Sequence, residues 1–245
     1  MTTLVAVGCS HTAGSELDDY ANIRNNFTYN KENSFAGLIS KKYNFDNYYN
    51  LGVPGGSNVY ILRALSQFLL EHKQPNENYL FLVGWTSTCR IEMRYPDNTP
   101  HEHVVSTDLT DKKYIPYSLG TDLKLFHTGE ARRLMGYAPL LFDEDMLNND
   151  WATYAYSAQQ IFKNNNIPYY MFNTCFDLPI TDWNKSIVEK LDTTHYYNPT
   201  DFDSSMLYWA LKKGFEKTDC WHLKQDGHIA WSEFLEEKLK GLGYL

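Results

Sequence analysis

Ser10 stands in the run Val5-Ala6-Val7-Gly8-Cys9-Ser10-His11-Thr12-Ala13-Gly14, and Asp219-Cys220-Trp221-His222 follows near the other end of the chain. A neutral serine hydroxyl is a poor nucleophile until a base takes its proton. Imidazole can be that base. An acid three residues before a histidine can lie on the same side of a turn, hold the ring in one tautomer and steady the imidazolium that forms. Together these groups would perform acyl transfer through a covalent serine intermediate. Each also has a plainer reading. Ser10 or Thr12 can cap a short helix after a strand-end turn, His222 can be an interior histidine, and Asp219 a helix cap.

These groups need elements to position them. Thr3 to Val7 is an apolar, β-branched run of strand length that stops at Gly8, as a buried strand entering a tight turn does. In open parallel α/β sheets ligands bind at the carboxyl edge of the strands, which is where Ser10 would then stand. Polar residues 16–33 read as a loop with at most one helical turn, and Ser34 as the cap of a helix. Tyr48-Tyr49-Asn50-Leu51 is a second short strand, followed by a turn rich in glycine, Gly52-Val53-Pro54-Gly55-Gly56-Ser57-Asn58. The stripe from Val59 to Leu70 predicts a buried helix capped by Ser57 or Asn58.

Tyr79-Leu80-Phe81-Leu82-Val83 is a continuous apolar strand ending at Gly84-Trp85-Thr86-Ser87-Thr88, as expected of a central parallel strand covered on both faces. Residues 89–148 lose this patterning and read as an insertion or lid with helical pieces near Ala131 to Met135; a loop of that length usually has a task. A helix over 149–164, a strand over 167–172, a helix over 206–215 and a final helix over 228–242 complete the chain, His228 marking the start of the last. The alternation predicts a three-layer α/β/α sandwich with a central parallel sheet.

Composition narrows the function classes. The 245 residues suit one α/β domain, 1–245, and 43% hydrophobic residues with 19 Tyr supply a core. A net charge of −8 with no basic concentration argues against a nucleic-acid partner. Cys9, Cys89, Cys175 and Cys220 are scattered, as reduced thiols of an intracellular protein are. A soluble protein is expected, with neither signal peptide nor membrane segment. Phosphate-loop and dinucleotide glycine spacings are absent, as is the G-x-S-x-G elbow. Cys9, His11, His222 and His228 include metal-ligating types, but neither a metal nor a cofactor is expected.

The three strand-end turns and the last segment resemble the SGNH (GDSL-like) hydrolases. Gly8-Cys9-Ser10 stands for the family's Gly-Asp-Ser, Asn50-Leu51-Gly52-Val53-Pro54-Gly55 for its second block, Gly84-Trp85-Thr86 for its third, and Asp219-Cys220-Trp221-His222 for its last. All four occur in order. The Gly-Cys-Ser-His-Thr and Gly-Trp-Thr-Ser turns are similar to those of bacteriophage-encoded members, which implies a protein of the host cytoplasm or of the virion. The resemblance implies an SGNH/flavodoxin-like fold and an esterase with Ser10 as nucleophile, His222 as general base and Asp219 as orienting acid. The backbone N–H groups of Ser10 and Gly55 would help to hold the oxyanion.

Cys9 replaces the family's Asp. Thr86 replaces the third-block Asn, so Thr86, Ser87 or Asn58 must donate to the oxyanion in its stead, or the hole is weaker. Cys9, His11, Trp85 and Trp221 are further candidate contacts, though the two tryptophans read first as packing. The expected substrate is a small-molecule or carbohydrate ester, an O-acetyl group among the candidates. The alternative is a non-catalytic binding or structural protein on the same fold, such as a virion or assembly component.

Overall fold

The first strand, β1 (Thr2–Gly8), divides the core between two faces. Its alternating side chains send Val5 and Val7 to one side and Leu4 and Ala6 to the other, the period of two that a pleated strand imposes. A computed structural model of the protein describes residues 2–17, 27–94, 114–118 and 143–245. In chain order, α1 (Ser10–Ala13), α2 (Phe27–Asn33), α3 (Phe35–Lys42), β2 (Asn47–Asn50), α4 (Asn58–Glu71) and β3 (Asn78–Trp85) follow β1. After these come β4 (Arg90–Arg94), β5 (Tyr114–Ser118), α5 (Glu144–Asn164), β6 (Tyr169–Asn173), α6 (Lys185–Val188), α7 (Met206–Lys212) and α8 (Gln225–Gly241).

Strands β2-β1-β3-β6 form a four-stranded sheet in that order, every pair parallel. On one face Val5, Val7, Phe81, Val83, Trp85 and Met171 pack with Ile61, Leu65 and Phe68 of α4 and Trp151, Ala155 and Phe162 of α5. On the other, Leu4, Ala6, Leu82 and Phe172 pack with Phe35 and Ile39 of α3, Met206 of α7, and Trp231, Leu235 and Leu239 of α8. This is the expected α/β/α sandwich. Its central strands are uniformly apolar because both faces are covered, and each fully buried large side chain contributes roughly 1.5–3 kcal/mol.

Local capping chemistry sets several boundaries. Ser34 accepts a hydrogen bond from Gly37 N–H at the start of α3, and Ser57 one from Tyr60 N–H at the start of α4. Helix α5 begins at Glu144, earlier than its apolar stripe indicates. Its first turn is solvent-facing, and Asp143 caps it by accepting from Asp145 N–H. Likewise α8 begins at Gln225, which puts His228 inside the helix rather than at its start. There it is buried, accepts a hydrogen bond from Phe35 N–H and stacks on the Phe35 ring.

Within the insertion after β3, β4 and β5 pair antiparallel as a separate two-stranded sheet; the helical pieces expected near Ala131 lie outside the described residues. Among the described residues, no helix is long and apolar enough to cross a membrane.

Candidate active site

Three strand ends converge around α1. Gly8 closes β1 directly opposite Gly84 of β3, and both positions require the absence of a side chain. A Cβ at Gly8 would meet Thr12 Oγ1 at 2.0 Å and the Gly84 carbonyl at 2.9 Å, and one at Gly84 would meet Thr12 Oγ1 at 2.7 Å. The two glycines therefore let α1 sit down on the sheet edge with Thr12 buried between them. Ser10 is the first residue of α1, after Cys9 at the N-cap. The short helix stops at Gly14, whose left-handed φ of 69° lets its N–H turn back to the His11 carbonyl.

The second turn is tied to the first. Val53 N–H donates to the Gly8 carbonyl, while the Asn50 amide donates to the Thr12 carbonyl and accepts from Gly52 N–H. Gly55 takes a left-handed φ of 74°. At the third turn, Asn58 grips Thr86 from both sides: its Nδ2 donates to the Thr86 carbonyl and its Oδ1 accepts from Thr86 N–H, each at 2.9 Å. Thr86 Oγ1 lies 3.8 Å from Cys175 Sγ. Ser87 Oγ accepts from Cys89 N–H and contacts Cys89 Sγ. The Asn58 amide and the Thr86 backbone are thus engaged with each other, and the Ser87 hydroxyl with Cys89. Trp85 is core, fully buried, and Trp221 is half exposed with the Lys217 ammonium over its ring.

Ser10 is buried, and its hydroxyl has no hydrogen-bond partner among the described residues; it makes no hydrogen bond to His222. His222 lies against the same corner, its ring centroid 5.1 Å from that of His11. The carboxylate at the ring is that of Glu16, with Oε2 2.9 Å from Nδ1, and not the Asp219 suggested by the Asp-x-x-His spacing. The reason is the local backbone. Thr218 and His222 close a tight turn through Thr218 N–H to the His222 carbonyl at 2.7 Å, and Lys217 and Leu223 bridge antiparallel beneath it. Asp219 therefore sits at the tip of a hairpin, exposed, where a helical turn would have set it beside the ring.

With Nδ1 facing a carboxylate, the hydrogen-bond network assigns the proton to Nδ1 and leaves the Nε2 lone pair free. Burial lowers the His222 imidazole below its ordinary value, against the opposing pull of Glu16, and the Arg90 guanidinium lowers it further. The ring is consequently neutral near pH 7, as a base must be. Burial works to raise the Glu16 carboxyl, but hydrogen bonds from Thr218 and His222 hold it below the ordinary value. His11 is driven well below the ordinary histidine range by burial first, and then by the unfavourable proximity of His222, Arg90 and His228.

Behind Ser10, Cys9 Sγ lies 3.4 Å from Thr174 Oγ1. Arg90 carries a buried Nη1 without a hydrogen-bond partner among the described residues. Glu16 and Arg90 are the two charged groups that sequence reasoning passed over. Glu16 stands in a polar stretch and Arg90 at the start of an unpatterned insertion, and no sequence spacing connects either to His222.

Neither a scan of family models nor a search of curated proteins finds a match to the chain. Among solved structures it is similar to the psychrotrophic esterase EstA from Pseudoalteromonas sp., with 12% identity over 98% of this chain and 97% of that one and a TM-score of 0.44. It is also similar to a lipase/acylhydrolase from Enterococcus faecalis, with 15% identity over 98% and 96% of the two chains and a TM-score of 0.42. A third is a member of the lipolytic protein G-D-S-L family from Veillonella parvula DSM 2008, with 9% identity over 96% and 97% and a TM-score of 0.41.

Proposed function

We propose that the protein is a serine hydrolase of the SGNH type that cleaves an ester through an acyl-enzyme at Ser10. One observation carries the reading. His222, a neutral imidazole with a carboxylate on Nδ1, lies against the strand-end turn that holds a serine hydroxyl without a hydrogen-bond partner among the described residues. The order of the four sequence blocks agrees with it.

In the proposed reaction the Ser10 hydroxyl turns toward His222 Nε2, a contact of the kind that tightens when substrate binds. His222 takes the proton as Oγ attacks the ester carbonyl carbon. The backbone N–H groups of Ser10 and Gly55 hold the developing oxyanion; losing one such donor typically costs roughly 2.7–4 kcal/mol of transition-state stabilisation. Collapse breaks the bond to the leaving alkoxide, which receives the proton from the imidazolium. Water then attacks the acyl-enzyme, giving its proton to His222, and the acid departs as Oγ is reprotonated. A carbohydrate ester is the proposed substrate class. Phe176, Phe202 and Tyr208 cluster beyond the carboxyl end of β6, with Phe202 and Tyr208 centroids 3.9 Å apart, and partly exposed rings suit the apolar faces of sugars.

A second reading is favoured by the missing hydrogen bond between Ser10 and His222: a non-catalytic binding protein on the same fold. Fluorophosphonate labelling with an acyl-ester panel separates the two. Stoichiometric modification of Ser10, and ester turnover abolished in Ser10→Ala, support the hydrolase. Equal turnover in both proteins, or no labelling of Ser10, overturns it.

A further inference from the structure

We propose that Glu16 is the acid that orients His222, so that the acid–base pair is assembled from the two ends of the chain. The inference rests on the hydrolase reading for its catalytic meaning, although the pairing itself stands on geometry.

Glu16 Oε2 meets His222 Nδ1 at 2.9 Å, with the two side chains only 8% and 15% exposed. Thr218 completes a triangle: its hydroxyl donates to the same carboxylate oxygen and accepts a hydrogen bond from His222 N–H at 3.2 Å. The hydroxyl thus fixes both partners at once, its single proton going to Glu16 and a lone pair receiving the amide. Both sides reach this arrangement through unusual backbone. Glu16 has φ 68° and Trp221, just before His222, has φ 66°, a left-handed conformation in which non-glycine residues are uncommon.

Asp219 offers none of this. It projects from the exposed hairpin tip, and its charge acts on the Lys224 ammonium. Among the described residues, the titratable and charged groups around His222 are Glu16, His11, Arg90 and His228; Cys220 touches the Glu16 carboxylate. Of these, Glu16 alone brings negative charge to the ring. It therefore selects the Nδ1–H tautomer, aims Nε2 away from itself, and stabilises the imidazolium of each transfer step, which is the work of the third member of a serine triad. Glu16 acts through His222 and is a positioning residue.

The test compares Glu16→Gln, Glu16→Asp and Asp219→Asn in the full-length protein. Ester kinetics are followed across pH, and nitrogen and proton NMR are recorded on ring-labelled histidine. Glu16→Gln is expected to lower kcat by about 10²–10⁴-fold and to move the acid limb of kcat/KM to lower pH, because removing the negative charge makes imidazolium harder to form. Glu16→Asp, which keeps the charge, should recover part of the rate, and Asp219→Asn should stay within about threefold of wild type. The hydrogen-bonded Nδ1–H resonance of His222 should be present in wild type and Asp219→Asn and lost or shifted upfield in Glu16→Gln.

Loss of rate and resonance in Asp219→Asn, with Glu16→Gln unaffected, overturns the proposal. Should Glu16→Gln fail to fold, the Glu16→Asp and Asp219→Asn pair decides: a loss confined to Asp219→Asn refutes it. If wild type turns over no ester, the hydrolase reading fails by itself, and the NMR contrast still decides which carboxylate holds the ring.

Discussion

Replacing Asn58 with Ala tests whether that side chain serves the oxyanion or the scaffold. Asn58 is 5% exposed and Thr86 fully buried, and the two hydrogen bonds between them satisfy both the N–H and the carbonyl of Thr86. Truncation leaves two buried backbone groups without partners at about 1–3 kcal/mol each. Alanine returns about 0.5 kcal/mol through its higher helix propensity in the first turn of α4. The net expectation is a loss of about 1.5–5.5 kcal/mol, a fall of roughly 3–22 °C in Tm for a chain of this size. Urea denaturation followed by tryptophan fluorescence and far-ultraviolet circular dichroism measures it, with ester turnover recorded on the same samples. A variant within about 0.5 kcal/mol of wild type refutes the clamp. So does an unchanged Tm with a rate loss of about 10²–10³-fold, the signature of a lost oxyanion donor, which would return Asn58 to the hole.

Two further outcomes probe the frame around the site. Ser57→Ala removes the hydroxyl that receives Tyr60 N–H at the start of α4; it should cost about 1 kcal/mol in urea unfolding without altering KM. Acid sensitivity should trace in part to His228. Burial, aided by His222, lowers this imidazole to about 3, whereas histidine in an unfolded chain titrates near 6.5. Between those values the unfolded chain binds a proton that the native protein refuses. Stability is therefore complete above about pH 6.5 and declines toward acid by up to about 1.4 kcal/mol per pH unit. His228→Leu should be less stable at neutral pH, having lost the acceptor for Phe35 N–H, yet show a shallower decline from pH 6.5 to 4.5. An unchanged slope in urea midpoints would contradict the assignment.

Much of this arrangement is readable from short-range pattern. The apolar runs of β1 and β3 announce strands covered on both faces, Ser34 and Ser57 announce the helices they cap, and the Gly8-to-Ser10 turn announces a serine at the carboxyl edge of a sheet. These are local matters: periodicity reports which side chains are buried, and a cap needs only the next three residues. The start of α5 at Glu144 escapes that logic because its first turn carries no apolar residue facing the core.

Tertiary structure alone decided which groups meet. A spacing of three puts Asp219 beside His222 only if the backbone between them is helical; it folds instead as a hairpin with Trp221 in the left-handed region, and the aspartate faces solvent. The carboxylate at the ring comes from Glu16, 206 positions away, brought there by the docking of the α1 turn against the segment before α8. Asn58 and Thr86 follow the same rule. Their residue types permit oxyanion donation, and the packing of the second turn against the third engages them in each other. Residue type and spacing determined that a serine stands at a sheet edge and that a histidine with the chemistry of a base stands near the other end of the chain. The identity of the acid and the commitments of each donor depended on contacts between distant segments, which local periodicity does not encode.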